Sequence, residues 1–146
     1  MKTNIVFSLI MSMVIVACTP QKTSPVQGAW KMVSATFVRN DSLIVDFPGK
    51  WTGSNIKMWS KEHVVFVGRF KSDTTLFDIY GGGRYELQGN RYEEIVQYHG
   101  VASAVGDTFK MLLEITNDTL AQTWPLPDNG VIDKSNYRQE KYVRLD

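Results

Sequence analysis

The chain has 146 residues, of which 43% are hydrophobic and 21% are charged, so one globular domain fits it and disorder and collagen-like order are excluded. Its 16 basic and 15 acidic residues give a formal net charge of +1, which argues against nucleic acid as a partner because phosphate binding needs an excess of Lys and Arg. One cysteine and two histidines exclude an intramolecular disulfide and leave few ligands for a metal site.

Residues 1–17 have the layout of a secretory signal. Lys2 supplies a positive charge, an apolar stretch covers residues 5–16, and the small residue Ala17 follows it. The stretch is shorter than the roughly 20 apolar residues that span a bilayer. No other part of the sequence reaches this length, so we expect cleavage of the signal and no transmembrane helix.

Residues 15–18, Ile-Val-Ala-Cys, resemble the lipobox of bacterial lipoproteins. The resemblance implies that Cys18 is lipidated and becomes the mature N-terminus. Thr19 stands where such lipoproteins carry an Asp for retention at the inner membrane, which favours the outer membrane, on its periplasmic or its surface face. The alternative is a plain secretory signal with an incidental cysteine. Residues 18–27 are polar, contain two prolines and predict an extended tether.

From Gly28 onward, apolar and polar residues alternate in short segments rich in β-branched and aromatic side chains. Between these segments, Gly89-Asn90 and Asn117-Asp118 are expected to form two-residue hairpin turns. Short, closely spaced strands indicate an all-β antiparallel barrel or sandwich over residues 28–146. The predicted strands cover residues 29–38, 55–60, 63–70, 76–80, 84–88, 91–99, 108–116, 119–124 and 137–145.

Three consecutive glycines, residues 81–83, interrupt this alternation. Such a triplet either cradles a phosphate or marks a bulge or bend in a strand. The Lys-Ser/Thr pair and the helix of a phosphate-binding loop do not follow it. We therefore expect a bend in the wall of a barrel.

Several stretches resemble lipocalin-like proteins. Residues 28–34, GAWKMVS, are similar to the G-x-W opening of lipocalins and fatty-acid-binding proteins. Residues 56–63, 81–94 (GGGRYELQGNRYEE) and 98–99 resemble blocks of a bacterial lipocalin-like family of unknown function, and Tyr142-Val143-Arg144 resembles its ending. The resemblance implies an antiparallel up-and-down β-barrel of about eight to ten strands, with Trp30 plugging its floor and Arg144 lying across that ring. The Arg-x-Tyr carboxylate site of fatty-acid-binding proteins is not reproduced.

The common catalytic patterns are missing from the sequence. It has no G-x-S-x-G elbow, and Glu93 and Glu94 are adjacent on a strand, so they point to opposite faces and cannot act as a facing pair. His63 and His99 with Glu94 are the candidate ligands of a metal site, but their spacing matches no metal motif. We expect no enzyme activity, no metal and no cofactor.

Inward-facing side chains bear on the choice between a cavity and a packed interior. Tyr92, Glu94, Val96 and Tyr98 are predicted to share one face of their strand, and the Trp30 face mixes Ser and Thr with apolar groups. Mixed faces suit a partly wet cavity, whereas a small barrel is also filled by its own side chains. We expect a small, mostly apolar ligand, and the alternative is a packed barrel that acts as a protein-interaction module. The predicted ligand-binding residues are Trp59, Phe66, Tyr85, Tyr92, Tyr98 and His99.

Overall fold

The computed structural model describes residues 24–146, which form an all-β protein. The expected signal, Cys18 and most of the expected tether lie outside these residues. Within the described range, no helix has the length and apolar character needed to cross a membrane. The strands of this range are β1 (Gly28–Arg39), β2 (Ser42–Phe47), β3 (Thr52–Trp59), β4 (His63–Ser72), β5 (Thr75–Gln88), β6 (Arg91–His99), β7 (Thr108–Thr116), β8 (Thr119–Trp124) and β9 (Asn136–Arg144).

Eight of these strands close into an antiparallel up-and-down barrel. The order around the barrel is β1-β3-β4-β5-β6-β7-β8-β9, and β9 pairs back onto β1 from Trp30 opposite Arg144 to Arg39 opposite Asn136. Closure satisfies the hydrogen-bonding groups that an open sheet would leave along its edges. The barrel prediction is confirmed, and the sandwich is excluded.

β2 is an additional strand that the alternation pattern did not predict. One edge of β1 pairs with β3 over Gly28–Lys31 and with β2 over Ala35–Arg39. A register shift after Met32 in the pairing with β9, and another after Ala35 in the pairing with β2, mark the bend between these two parts. The run Leu43-Ile44-Val45 in β2 is continuous and exposed rather than alternating. A search for period-two patterns therefore overlooks it.

The connections between the eight barrel strands fall alternately at the two ends, and β2 belongs to the connection between β1 and β3. The turns at 60–62, 89–90 and 117–118 lie at one end together with residues 24–27, and we call this the closed end. The connections at 40–41, 48–51, 73–74, 100–107 and 125–135 lie at the opposite end, which we call the open end.

The two predicted hairpin turns are both present at the closed end. Gly89 has a φ of +64° between β5 and β6, and Asn117 has a φ of +53° between β7 and β8. Glycine and asparagine tolerate this left-handed conformation better than other residues, so local sequence determines both turns.

Large side chains and the N-terminal segment fill the closed end. Trp30 is fully buried and donates a hydrogen bond from Nε1 to the carbonyl oxygen of Val26 at 2.8 Å. Arg144 lies over this indole, with Cζ 4.1 Å from the ring centroid, and its guanidinium donates to the carbonyl oxygens of Gln27 and Pro25 at 2.8 Å each. Residues 24–27, which the sequence assigns to the tether, thus pack across the barrel floor.

The glycine triplet lies within one continuous strand, β5, rather than between two strands. Between Gly82 and Gly83 the partner on β6 shifts from Tyr98 to Val96, which makes this position a β-bulge. A Cβ atom on Gly83 would overlap the carbonyl group of Ile95, so the close approach of the two strands requires glycine here.

Candidate ligand-binding site

The open half of the barrel contains a cavity of about 370 Å³. Small-molecule sites commonly enclose roughly 300–1,000 Å³. Strands β3 to β9 and the loop after β6 contribute to its wall, so closure of the barrel is what assembles it. The lining residues are Asn55, Lys57, Phe66, Asp78, Ile79, Tyr80, Glu94, Val96, His99, Gly100, Val101, Phe109, Met111, Gln122, Trp124, Glu140 and Tyr142.

A chain of buried hydrogen bonds crosses the bottom of the cavity. Trp59 Nε1 donates to the Tyr92 hydroxyl at 3.0 Å, and this hydroxyl donates to Glu94 Oε2 at 3.0 Å. Lys57 Nζ donates to the same Glu94 oxygen at 2.9 Å and to Gln122 Oε1 at 3.3 Å. A buried ion pair is tolerated when further hydrogen bonds satisfy both partners, so this chain holds the ammonium and the carboxylate in fixed positions.

Aromatic rings surround the Lys57 ammonium. Its Nζ atom lies 5.2 Å from the ring centroid of Trp59, 5.7 Å from that of Phe66 and 5.9 Å from that of Tyr92. Each distance is within the range over which a cation is attracted to the face of an aromatic ring. The rings therefore help to compensate the ammonium for the water that it loses on burial.

A second polar group lies higher in the barrel, toward the open end. The Tyr142 hydroxyl donates to Glu140 Oε2 at 2.6 Å. Arg138 Nη2 lies 3.5 Å from Asp46 Oδ2, while its Nε atom is 3.9 Å from Glu140 Oε1, which is too long for a hydrogen bond. The same guanidinium lies within 6 Å of the ring centroids of Trp51 and Trp124, so aromatic and charged groups alternate at this end.

Two tyrosine hydroxyls act as fixed donors to these carboxylates. Burial raises the pKa of Tyr92 well above its ordinary value, and the nearby Glu94 carboxylate raises it further. Burial likewise raises the pKa of Tyr142 well above its ordinary value, and the Glu140 carboxylate adds to the effect. Both hydroxyls therefore keep their protons at neutral pH and donate to the carboxylates beside them.

Asn55 is a buried polar side chain of the cavity wall whose amide oxygen has no hydrogen-bond donor in residues 24–146. Only 3% of the residue is exposed, and its Oδ1 atom accepts no hydrogen bond from any residue in the range 24–146. Buried polar atoms are nearly always paired, because an unpaired one loses its hydration without compensation. This oxygen is enclosed by neighbouring atoms, so its missing partner is a cost to stability next to the cavity and not a contact point for a ligand.

The cavity opens beside the loop that follows β6. His99 is half-buried here, and its Nδ1 atom accepts a hydrogen bond from the backbone N–H of Val101 at 2.9 Å. The Phe66 ring meets the imidazole edge-to-face with 5.8 Å between centroids. These contacts fix the imidazole at the rim of the cavity.

The predicted ligand-binding residues fall into three groups. Phe66 and His99 line the cavity. Trp59, Tyr85 and Tyr92 are buried below it, where the Tyr85 and Tyr92 rings stack with centroids 5.5 Å apart, so they form its packed floor. Whether any of these residues contacts a ligand stays a prediction.

Tyr98 alone forms the third group of predicted residues. The prediction that it shares the inward face of Tyr92, Glu94 and Val96 is wrong. Tyr98 is 73% exposed and lies on the outside of the barrel. The bulge opposite Gly82 and Gly83 inserts one residue into β6 after Val96, which reverses the inside–outside alternation beyond that point. The same reversal carries His99 inward.

Sequence reasoning missed the polar residues that distinguish this interior. Asn55 and Lys57 precede the predicted Trp59 at a spacing of two, and Glu140 precedes Tyr142 in the same way. Strand alternation alone would have placed these side chains on the inward face. They were missed because charged and amide side chains are ordinarily assigned to the solvent face of a strand.

Histidine and carboxylate residues of the described range do not gather into a metal site. No group of three or more His, Cys, Asp or Glu side chains in residues 24–146 is arranged to hold an ion. His63 begins β4 at the closed end, whereas His99 ends β6 at the open end, so the pair considered from the sequence is separated by the length of the barrel. No protein-family model matches the chain, and no curated protein matches it significantly.

Proposed function

We propose that this protein is an envelope lipoprotein whose barrel binds a small, mostly apolar ligand without a catalytic step. The observation that carries the proposal is the cavity of about 370 Å³, which is open at one end and fixed in shape by a closed sheet. Its wall combines Phe66, Ile79 and Phe109 with a few buried polar groups. Mostly apolar walls with a small number of oriented polar groups are typical of small-molecule sites.

The test is to fill the cavity and to ask whether bound molecules disappear. Small molecules extracted from protein purified from its native host are identified by mass spectrometry. Ile79→Trp places a large ring in the cavity wall and is expected to remove the co-purifying ligand. Ile95→Trp is the matched control, because Ile95 is 42% exposed on the outside of the barrel, and this variant is expected to retain the ligand. Equal ligand content in the two variants contradicts the proposal.

The envelope location rests on the N-terminal sequence and is consistent with the position of the chain's first described residues. Ser24 lies at the closed end, opposite the cavity opening, so an anchor at Cys18 would turn the opening away from the membrane. The six Cα–Cα steps from Cys18 to Ser24 reach at most about 20 Å. Cys18→Ser is expected to release the protein from membranes into the soluble envelope fraction, and continued sedimentation with membranes contradicts lipid anchoring.

A second candidate function, docking of a protein partner, is favoured by the outer wall. Met58, Val65, Val67, Tyr80 and Tyr98 are all more than 40% exposed, and strand pairing places them side by side on β3 to β6. Contiguous exposed apolar surface often marks an interaction site. A photo-crosslinker at Tyr98 is expected to capture an envelope protein, whereas the same group at exposed Glu86 is not.

A further inference from the structure

The Lys57 ammonium is already committed within the barrel. Glu94 Oε2 and Gln122 Oε1 accept two of its three N–H bonds, and the Trp59, Phe66 and Tyr92 rings lie around it. A ligand carboxylate at this point could reach only the third N–H and would lie beside the Glu94 carboxylate, which already pairs with the ammonium. Two carboxylates sharing one ammonium leave a buried negative charge uncompensated, which disfavours an anionic ligand here.

The acceptor atoms of the cavity, in contrast, keep free lone pairs. Both contacts of Glu94 fall on Oε2, and the Tyr142 hydroxyl occupies Oε2 of Glu140, so one oxygen of each carboxylate has no hydrogen bond within the described part of the chain. A carboxylate can accept about four hydrogen bonds, so these two side chains offer acceptors to a ligand that brings donors.

The charges around the cavity also favour a cationic ligand. Among the charged groups of residues 24–146 that lie in or directly above the cavity, carboxylates outnumber cations by one. At the mouth, Asp78 is paired with Arg69 at 2.6 Å, so it leaves this balance unchanged. The groups that set the balance are three carboxylates and two cations, Asp46, Glu94 and Glu140 against Lys57 and Arg138.

We infer that the cavity selects a small amphipathic amine, whose protonated nitrogen donates to Glu94 and Glu140 while its apolar part lies against Phe66 and Phe109. The inference rests on the proposed ligand-binding function and specifies its ligand class. Charge-assisted hydrogen bonds are roughly twice as strong as neutral ones, so the ammonium head group determines the preference. An apolar molecule with a carboxylate head group is disfavoured at the same place.

The test compares three probes that share a phenyl-alkyl body and differ in head group. Calorimetric titration of the full-length protein measures binding of 2-phenylethylamine, 2-phenylethanol and 3-phenylpropionate. The amine is expected to bind about tenfold more tightly than the alcohol, with the carboxylate weakest. Glu140→Gln keeps an acceptor for the Tyr142 hydroxyl and is expected to weaken amine binding about tenfold. Glu93→Gln, on the outer face of β6, is the matched control and is expected to change nothing.

Tighter binding of the carboxylate than of the amine, or equal effects of Glu140→Gln and Glu93→Gln, overturns the inference and leaves the proposed function intact. Failure of all three probes to bind overturns both.

Discussion

The closed and open ends of the barrel are built from the same strands but hold different interiors. At the closed end, Trp30, Tyr92 and Leu120 are completely buried in the hydrophobic core and do not line the cavity. At the open end, Phe109 and Trp124 are only partly buried and border the cavity. The difference is produced by side-chain size and polarity at successive inward positions, since strand pairing continues through both halves.

The two ends of this small sheet contribute differently to stability and to ligand binding. The closed end contributes completely buried side chains to the core of this small barrel. The open end keeps ionisable and amide side chains in positions that reduce packing, as sites specialised for binding commonly do. The following predictions test how far stability and recognition are separated along the barrel axis.

The largest expected effect comes from tryptophan removal at the two ends. Trp30→Ala deletes a fully buried ring and is expected to lower the free energy of unfolding by about 3–5 kcal/mol. Trp124→Ala is expected to cost about half as much, because this ring already borders a cavity and loses fewer contacts. Denaturant titration measures both values. Equal losses would remove the distinction between the ends.

The buried ion pair lies at the boundary between the two ends. Glu94→Leu leaves the Lys57 ammonium without its charged partner and is expected to cost about 3–5 kcal/mol. Adding Lys57→Met in the same chain is expected to restore most of this loss, because replacing both members of a buried pair by apolar groups is often neutral. A double variant as unstable as Glu94→Leu alone would show that the ammonium is not what makes the single change costly.

Alkaline pH tests two buried tyrosines, Tyr92 in the packed floor of the cavity and Tyr142 in its wall. Burial raises the pKa of Tyr92 and Tyr142 in the folded state, so their stabilising contribution is complete below pH of about 10 and is lost as the pH rises. Each is expected to reduce the free energy of unfolding by about 1.4 kcal/mol per pH unit above that point. Tyr142→Phe is expected to flatten the decline, and Tyr98→Phe, on the outer wall, is the control. A decline unaffected by Tyr142→Phe assigns the alkaline loss to other groups.

The smallest effect concerns the contact between Trp30 and Arg144. Trp30→Leu and Arg144→Met are expected to destabilise the barrel by less together than the sum of their separate effects, with a coupling of roughly 0.5–2 kcal/mol. Arg144→Lys is expected to restore part of this coupling, because an ammonium lacks the flat surface of a guanidinium. Strict additivity in denaturation would mean that the stacked geometry contributes no energy of its own.

The fold could be predicted further than the site. Alternating side chains and two turn dipeptides indicated most strands, because these signals are local and depend on the nearest few residues. The continuous apolar run of β2 and the bulge in β6 left no such signal. One extra residue reversed the faces of Tyr98 and His99, which alternation counted from Tyr92 cannot detect.

The polar chain of the cavity was beyond local reasoning for a different reason. Lys57 and Glu94 are 37 residues apart in sequence, and Gln122 lies 65 residues from Lys57. Only closure of the sheet brings them together, so no spacing in the sequence reveals the pair. The sequence nevertheless indicated that one of Glu93 and Glu94 faces inward, and that residue is Glu94, which is 3% exposed.

The packing of residues 24–27 across the floor has a mechanical consequence. A pulling force applied to the chain before Ser24 first reaches the carbonyl groups of Pro25, Val26 and Gln27, which are bonded to Arg144 and Trp30. These two residues lie opposite each other on β9 and β1, at the seam where the sheet closes. Tension from a membrane attachment would therefore act on residues 24–27 and on the pairing of β1 with β9. The cavity at the opposite end of the barrel would carry none of that load.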